Sequence, residues 1–165
     1  MTIAVELPQD PATLRNAFAS FPTGVTALCA MIDDTPVGMA AASFTPVSLE
    51  PPLVSVCIQN TSSTWPKFSG AARIGVSVLS DCHDRAVKSL SAKEGDRFAG
   101  VAWTKGEGGS IFIDGAAAQF DCSVHAVVDA GDHQIVLMHI HTLGVRPEIE
   151  PLVFHGSRLR KLVPS

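Results

Sequence analysis

One stretch of the chain, residues 37–67, has the residue types and spacing that suit a flat, anionic ligand. It opens with the small residues Gly38-Met39-Ala40-Ala41-Ala42-Ser43, which allow a planar group to approach the backbone. A polar tract at residues 59–64 leads directly into Trp65. Hydroxyls and amides ahead of a helix can hold an anion, because the N–H groups of the first turn are unpaired and lie at the positive end of the helix dipole. This pattern indicates a mononucleotide site, although helix capping would use the same N–H groups.

Three histidines offer a different chemistry. His139 and His141 are two residues apart on a predicted strand, so their side chains face the same way, and His125 lies on the preceding predicted strand. Paired imidazoles with a third ligand suit zinc or iron, so a metal-dependent β-barrel enzyme is one alternative. Against this alternative, no Asp or Glu stands close to the pair in the sequence, and histidines on an outer face need no metal. We therefore expect no metal here.

The elements that must position these residues are predicted to be mostly strands. Apolar residues at helical spacing, preceded by Asp10-Pro11, predict an amphipathic helix at residues 11–20. Short helices are also predicted at residues 64–69 and, with Asp81 as the cap, through Leu90. Strands are predicted at residues 25–32, 37–43, 53–59, 73–79, 111–113, 116–128, 133–145, 152–155 and 158–162. Many short strands with few helices favour an all-β barrel over a Rossmann sheet.

Composition excludes several classes of protein. The chain has 165 residues, of which 46% are hydrophobic, and this suits one globular domain at residues 11–165 after a loose arm at residues 1–10. The net charge is −4 without a basic cluster, which argues against nucleic acid. No apolar run approaches the ~20 residues of a membrane helix, and the N-terminus does not resemble a signal peptide. Four cysteines far apart in the sequence favour free thiols and a cytoplasmic protein.

Six blocks of sequence carry a resemblance to a known family. In chain order they are PTGVT (22–26), GMAAASFTPVSLEPPL (38–53), SST (62–64), VSVLS (76–80), DRFAGVAW (96–103) and GDH (131–133). Together they resemble the short-chain flavin reductases, the reductase partners of two-component flavin-dependent monooxygenases. The resemblance implies a mainly β protein, a Greek-key-like, FMN-binding split β-barrel with a few flanking helices, which works as a homodimer. It also implies FMN or FAD as the flavin, NADH or NADPH as the hydride donor, and a separate flavin-dependent monooxygenase that receives the reduced flavin.

The resemblance also implies which residues contact the cofactors. His133, in the GDH block, is expected to orient the nicotinamide. Phe98 is expected either to cover a ring face or to lie in the core. The expected flavin contacts are Met39, Ala40, Ala41, Ala42, Ser43, Val47, Ser48, Gln59, Asn60, Ser62, Ser63, Thr64, Arg97 and Phe98. The chain departs from the family pattern mainly on the nicotinamide side, for example at residues 136–139, so a flavin-binding split barrel without reductase activity is a second alternative.

Overall fold

The structure, a computed structural model, describes Glu6 and residues 10–165. The other residues of the predicted N-terminal arm lie outside this described part. The described residues form two α-helices, α1 (Pro11–Phe18) and α2 (Asp84–Leu90), and two 3-10 turns at Trp65–Phe68 and Glu107–Gly109. The strands are β1 (Thr23–Gly24), β2 (Thr26–Ile32), β3 (Thr35–Ala41), β4 (Thr45–Leu49), β5 (Pro52–Gln59), β6 (Ile74–Val78), β7 (Trp103–Lys105), β8 (Ile111–Ile113), β9 (Ala118–Ala130), β10 (His133–Val145), β11 (Leu152–His155) and β12 (Arg158–Lys161).

The strands form three antiparallel sheets. The largest has seven strands in the order β3-β2-β6-β9-β10-β5-β4, so β3 and β4 are its edges. A second sheet has the order β1-β11-β12, and β7 pairs with β8. The long strands β9 and β10 form a hairpin whose turn is only Gly131-Asp132, because His133 already pairs with Ala130. Gly131 has a φ of 67°, a conformation that costs glycine little. The hairpin therefore carries His133 at the first position after a tight turn.

The core lies on both faces of the central strands. Along β2, Leu28 and Ala30 pack into one cluster with Val56 and Val76, whereas Ala27 and Cys29 pack into another cluster on the opposite face. A strand buried on both faces needs a continuous apolar run, and the sequence of β2 provides one. Desolvation by burial raises the pKa of the Cys29 thiol to about 12, so this cysteine acts as a small apolar side chain.

Three short strands were not predicted from the sequence, and one of them, β1, lies in the gap between the first predicted helix and the first predicted strand. β4 contains Pro46 and is mostly exposed, so it lacks the alternation that marks a half-buried strand. β7 lies in the segment between residues 91 and 109, where no strand was predicted, and it pairs only with β8.

The starting point of α2 was predicted wrongly, because the helix begins at Asp84 with His83 as its N-cap rather than at a cap on Asp81. The ring of His83 is occupied, since Nδ1 accepts from the Ser80 amide at 2.9 Å and Nε2 donates to the Asp114 carbonyl at 2.9 Å.

The helix α1 forms where it was predicted, and Asp10 caps it by accepting a hydrogen bond from the Ala12 amide at 3.0 Å. Its apolar side chains do not enter the core, however, because α1 has no buried residue. Phe18 is 68% exposed, and Phe21, just after the helix, is 75% exposed. The spacing that predicted an amphipathic helix was therefore sound, but the apolar face lies at the surface of this chain.

Candidate functional site

A cleft of about 850 Å³ lies where β3, the end of β5 and the start of β10 face α1, α2 and β11. It brings together most of the residues that the sequence singled out, from four separate parts of the chain. The predicted site residues that line it are Met39, Ala40, Ala41, Ala42, Ser43, Gln59, Ser62, Ser63, Thr64, Arg97 and His133. Two stretches supply most of this set, and they differ in character.

The first stretch, residues 39–43, is named the small-residue wall here. Its polar groups are largely satisfied within the chain. The Ser43 hydroxyl accepts from the Cys57 amide at 2.9 Å and donates to the Cys57 carbonyl at 3.1 Å, which ties the end of β3 to β5. The Ala41 carbonyl accepts from the Thr26 hydroxyl at 2.9 Å. This wall therefore offers mainly a flat surface to a ligand.

Arg97 fixes the beginning of the small-residue wall. Its Nη1 donates to the Gly38 carbonyl at 3.0 Å, and its Nε donates to the Ala92 carbonyl at 2.8 Å. Gly38 has no room for a side chain, because a Cβ there would lie 2.7 Å from the Phe98 ring and 2.8 Å from the Cys29 sulfur. The strand is thus held tightly against the core at Gly38.

The second stretch, residues 59–64, is named the donor wall here. The Ser62 hydroxyl accepts from the Trp65 amide at 3.1 Å, so this serine caps the 3-10 turn at Trp65–Phe68. The amides of Thr61, Ser63 and Thr64 have no acceptor among the described residues. The sequence left capping and anion binding open as alternatives. In the structure Ser62 accepts from the first amide of the 3-10 turn, while the neighbouring residues Ser63 and Thr64, whose amides have no acceptor among the described residues, line the cleft.

His133 stands beside the donor wall. It is paired with Gln59 across β5 and β10, and its Nδ1–H donates to Asp132 Oδ1 at 2.7 Å. This hydrogen bond is the main reason that the pKa of Asp132 is lowered, and the charge of Arg15 contributes. Asn60 ties the two segments together, because its amide donates to the Asp132 carbonyl at 2.9 Å and its Nδ2 donates to the Gly131 carbonyl at 3.2 Å.

Four of the expected contact residues do not line the cleft. Val47 and Ser48 lie on the edge strand β4, and Asn60 is engaged with the hairpin turn. Phe98 is buried and meets Trp103 edge to face, with ring centroids 6.3 Å apart, so of its two predicted positions it occupies the core. Their contribution to ligand binding stays a prediction.

Several residues that line the cleft were missed in the sequence. They include Arg15, Phe18 and Phe21 from the α1 segment, Lys93 after α2, and Phe154 and Ser157 near β11. The apolar spacing of α1 predicts an amphipathic helix but does not show what its apolar face contacts. For Lys93 no local signal existed, because a lone lysine in a polar loop is ordinarily solvated. Lys67, the first lysine after the polar tract at residues 59–64, does not line the cleft.

The other histidines lie on the same hairpin at irregular positions. The strand register skips His125 on β9 and His141 on β10, so both occur at β-bulges. The rings of His139 and His141 are 4.7 Å apart, and His141 Nε2 lies 2.7 Å from the Ser123 hydroxyl. Desolvation, followed by the charge of Arg73, lowers the pKa of His141. In the described part of the chain, no three His, Cys, Asp or Glu side chains are grouped to hold a metal ion.

None of the described helices has the length and apolar character needed to cross a membrane.

Comparison with known proteins gives consistent matches over nearly the whole chain. The flavin reductase like domain matches residues 18–163. The reductase subunit HsaB of a flavin-dependent monooxygenase from Mycobacterium tuberculosis is 39% identical over 158 residues, which cover 94% of this chain and 84% of that protein. A flavin reductase from Pseudomonas putida is 40% identical over 147 residues, which cover 88% of this chain and 86% of that protein.

Solved structures agree with these matches. The NADH:FAD oxidoreductase SgcE6 of Streptomyces globisporus C-1027, in complex with NAD and FAD fragments, is 35% identical and covers 98% of each chain, with a TM-score of 0.91. The flavin reductase component BorF of a bacterial two-component tryptophan halogenase is 31% identical, with a TM-score of 0.83, and it covers 94% of this chain and all of its own. These likenesses confirm the predicted split β-barrel and the predicted family.

Proposed function

The chain belongs to the flavin reductase like domain family, and we propose that it is an NADH- or NADPH-dependent flavin reductase. It would accept FMN or FAD and pass the reduced flavin to a separate flavin-dependent monooxygenase. One observation in the structure carries this proposal: the alanines at residues 40–42 and a wall of N–H groups without an acceptor among the described residues line the same cleft. The first suits an isoalloxazine ring and the second suits a phosphate. The named activities of the two relatives and of SgcE6 support the same function.

The flavin and the nicotinamide would supply the hydride chemistry, so the protein needs to bind and align rather than to provide a catalytic dyad. Ala40, Ala41 and Ala42 would lie against the ring. The free amides and hydroxyls of Ser63 and Thr64 would hold the flavin phosphate. His133 would orient the nicotinamide through Nε2, because its Nδ1 is committed to Asp132. In this proposal no residue of the chain transfers a proton to complete the step.

We propose further that the protein works as a homodimer in the cytoplasm. Exposed apolar side chains on the two long strands and on the edge strand β4 support the dimer, among them Leu49 at 97% and Leu143 at 61% exposure. In such a dimer, Val47 and Ser48 of one protomer would contact the flavin bound to the other protomer. Four free cysteines are consistent with a reducing compartment. Light scattering at micromolar concentration tests the dimer, and a monomer there would contradict it.

The central experiment is a steady-state assay that crosses NADH and NADPH with FMN, FAD and riboflavin, following loss of reduced nicotinamide. We expect oxidation that depends on added flavin. An anaerobic filtrate, passed through a membrane that retains the protein, should contain the reduced flavin. Tight flavin binding without any acceleration of nicotinamide oxidation would instead support the flavin-binding alternative and overturn the proposed enzyme.

A further inference from the structure

The strand β12 combines an open edge with positive charge that no acidic side chain neutralises. In the three-stranded sheet, β11 lies between β1 and β12, so one edge of β12 has no neighbour among the described strands. Three of its four residues are the exposed cations Arg158, Arg160 and Lys161. None of them forms an ion pair in the described part of the chain. An open strand edge offers backbone donors and acceptors, and here cations flank them.

The hairpin of β11 and β12 holds this edge in a fixed position. Leu159, the remaining residue of β12, packs against the core cluster on one face of β2. Arg160 Nε donates to the His155 carbonyl at 3.2 Å, so this side chain also stabilises the hairpin. Arg158 and Lys161 make no such bond among the described residues. Their charges are therefore available to a binding partner.

The combination of charge and open edge favours one class of occupant. Two copies of β12 that paired with each other would bring like charges together, which destabilises a pair of strands. Nucleic acid is bound through a larger basic surface, whereas this chain has a net charge of −4 and only three cations on the strand. An extended polypeptide can pair with the open edge, and carboxylates complement its cations. The edge therefore suits an extended acidic segment of a protein.

The edge lies close to the cleft. Phe154 on β11 and Ser157 in the turn before β12 both line the cleft. Neighbouring strands are about 4.8 Å apart, so a strand added to β12 would lie about 10 Å from the backbone of β11. A protein docked on β12 would therefore sit beside the cleft from which reduced flavin leaves.

We propose that the open edge of β12 docks an extended acidic segment of the protein that receives the reduced flavin. The segment adds a strand to the sheet of β1, β11 and β12, and its carboxylates pair with Arg158 and Lys161. The identity of the partner rests on the proposed flavin reductase function, whereas the binding of an acidic segment does not.

The test uses a defined probe, a short acetylated peptide of glutamate and threonine that presents carboxylates on both faces of a strand. Its glutamine counterpart is the neutral control. Calorimetry on the full chain should detect binding of the acidic peptide only. Arg158→Glu with Lys161→Glu should weaken that binding about 5-fold or more, because two surface ion pairs are replaced by repulsion. Arg85→Glu with Lys88→Glu on α2 is the matched control, since both positions are exposed, lie outside the cleft lining and have the same spacing.

Amide chemical shifts of the parental protein should show where the acidic peptide binds. The largest changes are expected at residues 158–162, and changes centred on the cleft would overturn the inference. Arg158→Gln with Lys161→Gln removes the charges without reversing them, and it should also weaken the peptide with an unchanged thermal midpoint. This variant gives the same test if the glutamate variant does not fold.

Equal binding of the acidic and neutral peptides, or equal losses in the β12 and α2 variants, would overturn the inference. So would duplex DNA that binds β12 more tightly than the peptide, or a parental oligomer that dissociates in the β12 variant, because nucleic acid or a second copy would then be the occupant. Oxidation of NADH with FMN is measured on the same parental sample. Its absence would refute the proposed function, and the peptide measurement would still decide whether β12 docks an acidic segment.

Discussion

The two walls of the cleft are built from adjacent parts of the chain but recognise a ligand by different means. On the small-residue wall the Ser43 hydroxyl bonds Cys57, the Ala41 carbonyl accepts from Thr26, and Arg97 holds the strand at Gly38. Few polar groups of that wall remain free, so it can recognise a ligand mainly by its shape. On the donor wall, amides of Thr61, Ser63 and Thr64 have no acceptor in the described part of the chain. Binding at the small-residue wall should be blocked by added bulk, whereas binding at the donor wall should weaken when individual hydrogen bonds are removed. Substitutions in the two walls should therefore have different effects on ligand affinity.

The largest effect should come from adding bulk to the small-residue wall. Ala40 and Ala41 pack against the two core clusters, whereas Ala42 belongs to neither and lines the cleft. Ala42→Leu should therefore fill the ring site and weaken FMN and riboflavin alike, by about 100-fold or more, a cost of roughly 3 kcal/mol for an overpacked site. Calorimetry gives both affinities, and the thermal midpoint should stay near the parental value.

Ala41→Leu is the matched comparison. Because Ala41 contacts the core cluster around Leu28, extra methyl groups there should lower the free energy of unfolding by about 1–3 kcal/mol. If both leucine variants bind FMN as tightly as the parental protein, the flavin ring does not lie on the small-residue wall, and that wall does not select the ligand by shape.

The contrast also explains what the sequence could and could not predict. The run of small residues and the polar tract were visible as patterns, and the long strands followed from apolar alternation. The sequence could not show which of residues 62–64 bonds the following helical turn and which leaves its amide without an acceptor, since capping and anion binding require the same residue types. Phe98 had two equally good positions until packing against Trp103 placed it in the core. The place of α1 was missed because helical periodicity shows that an apolar face exists, not what covers it.

The second effect tests the donor wall. In Ser62→Ala with Ser63→Ala, FMN binding should weaken by about 1–3 kcal/mol, the usual loss of hydrogen bonds to a charged group. Riboflavin lacks the phosphate and should bind almost unchanged. The single variants sharpen this further, because Ser62 bonds the Trp65 amide and should also affect stability, whereas Ser63 makes no such bond. If the affinities for FMN and riboflavin fall equally, the phosphate does not bind at this wall.

A smaller effect is expected from His133→Ala. His133 lines the cleft beside Gln59, and one typical hydrogen bond is worth about 0.5–1.5 kcal/mol. The Michaelis constant for the nicotinamide should rise, or turnover should fall, by roughly 2- to 10-fold. The flavin dissociation constant should hardly change. A loss confined to flavin binding, with nicotinamide kinetics intact, would make His133 part of the donor wall rather than a separate contact.

The smallest effect should come from Asp132→Asn. The side chain of Asp132 is 88% exposed, so its interaction with His133 is screened by water and salt. An asparagine oxygen can still accept from His133 Nδ1–H, and the ring should keep its orientation. The Michaelis constant for the nicotinamide should therefore rise less than in His133→Ala. A rise larger than that would show that Asp132 acts on the ligand directly and not through His133.

The pH dependence of stability tests the hydrogen bond between Asp132 and His133. Hydrogen bonding to His133 lowers the pKa of Asp132 below its usual value of 3.8, so the carboxylate is ionised at that value and above. A group whose pKa is depressed by folding stabilises the fold above its unfolded pKa, and this stabilisation is lost only as pH falls through the lowered value. From pH 5 to 9 the charge of Asp132 is thus constant. Any change in nicotinamide affinity over that range must therefore come from a group other than Asp132. Relative to Asp132→Asn, the parental protein should lose free energy of unfolding only as pH falls below 3.8, and a loss that begins above that pH would contradict the lowered pKa.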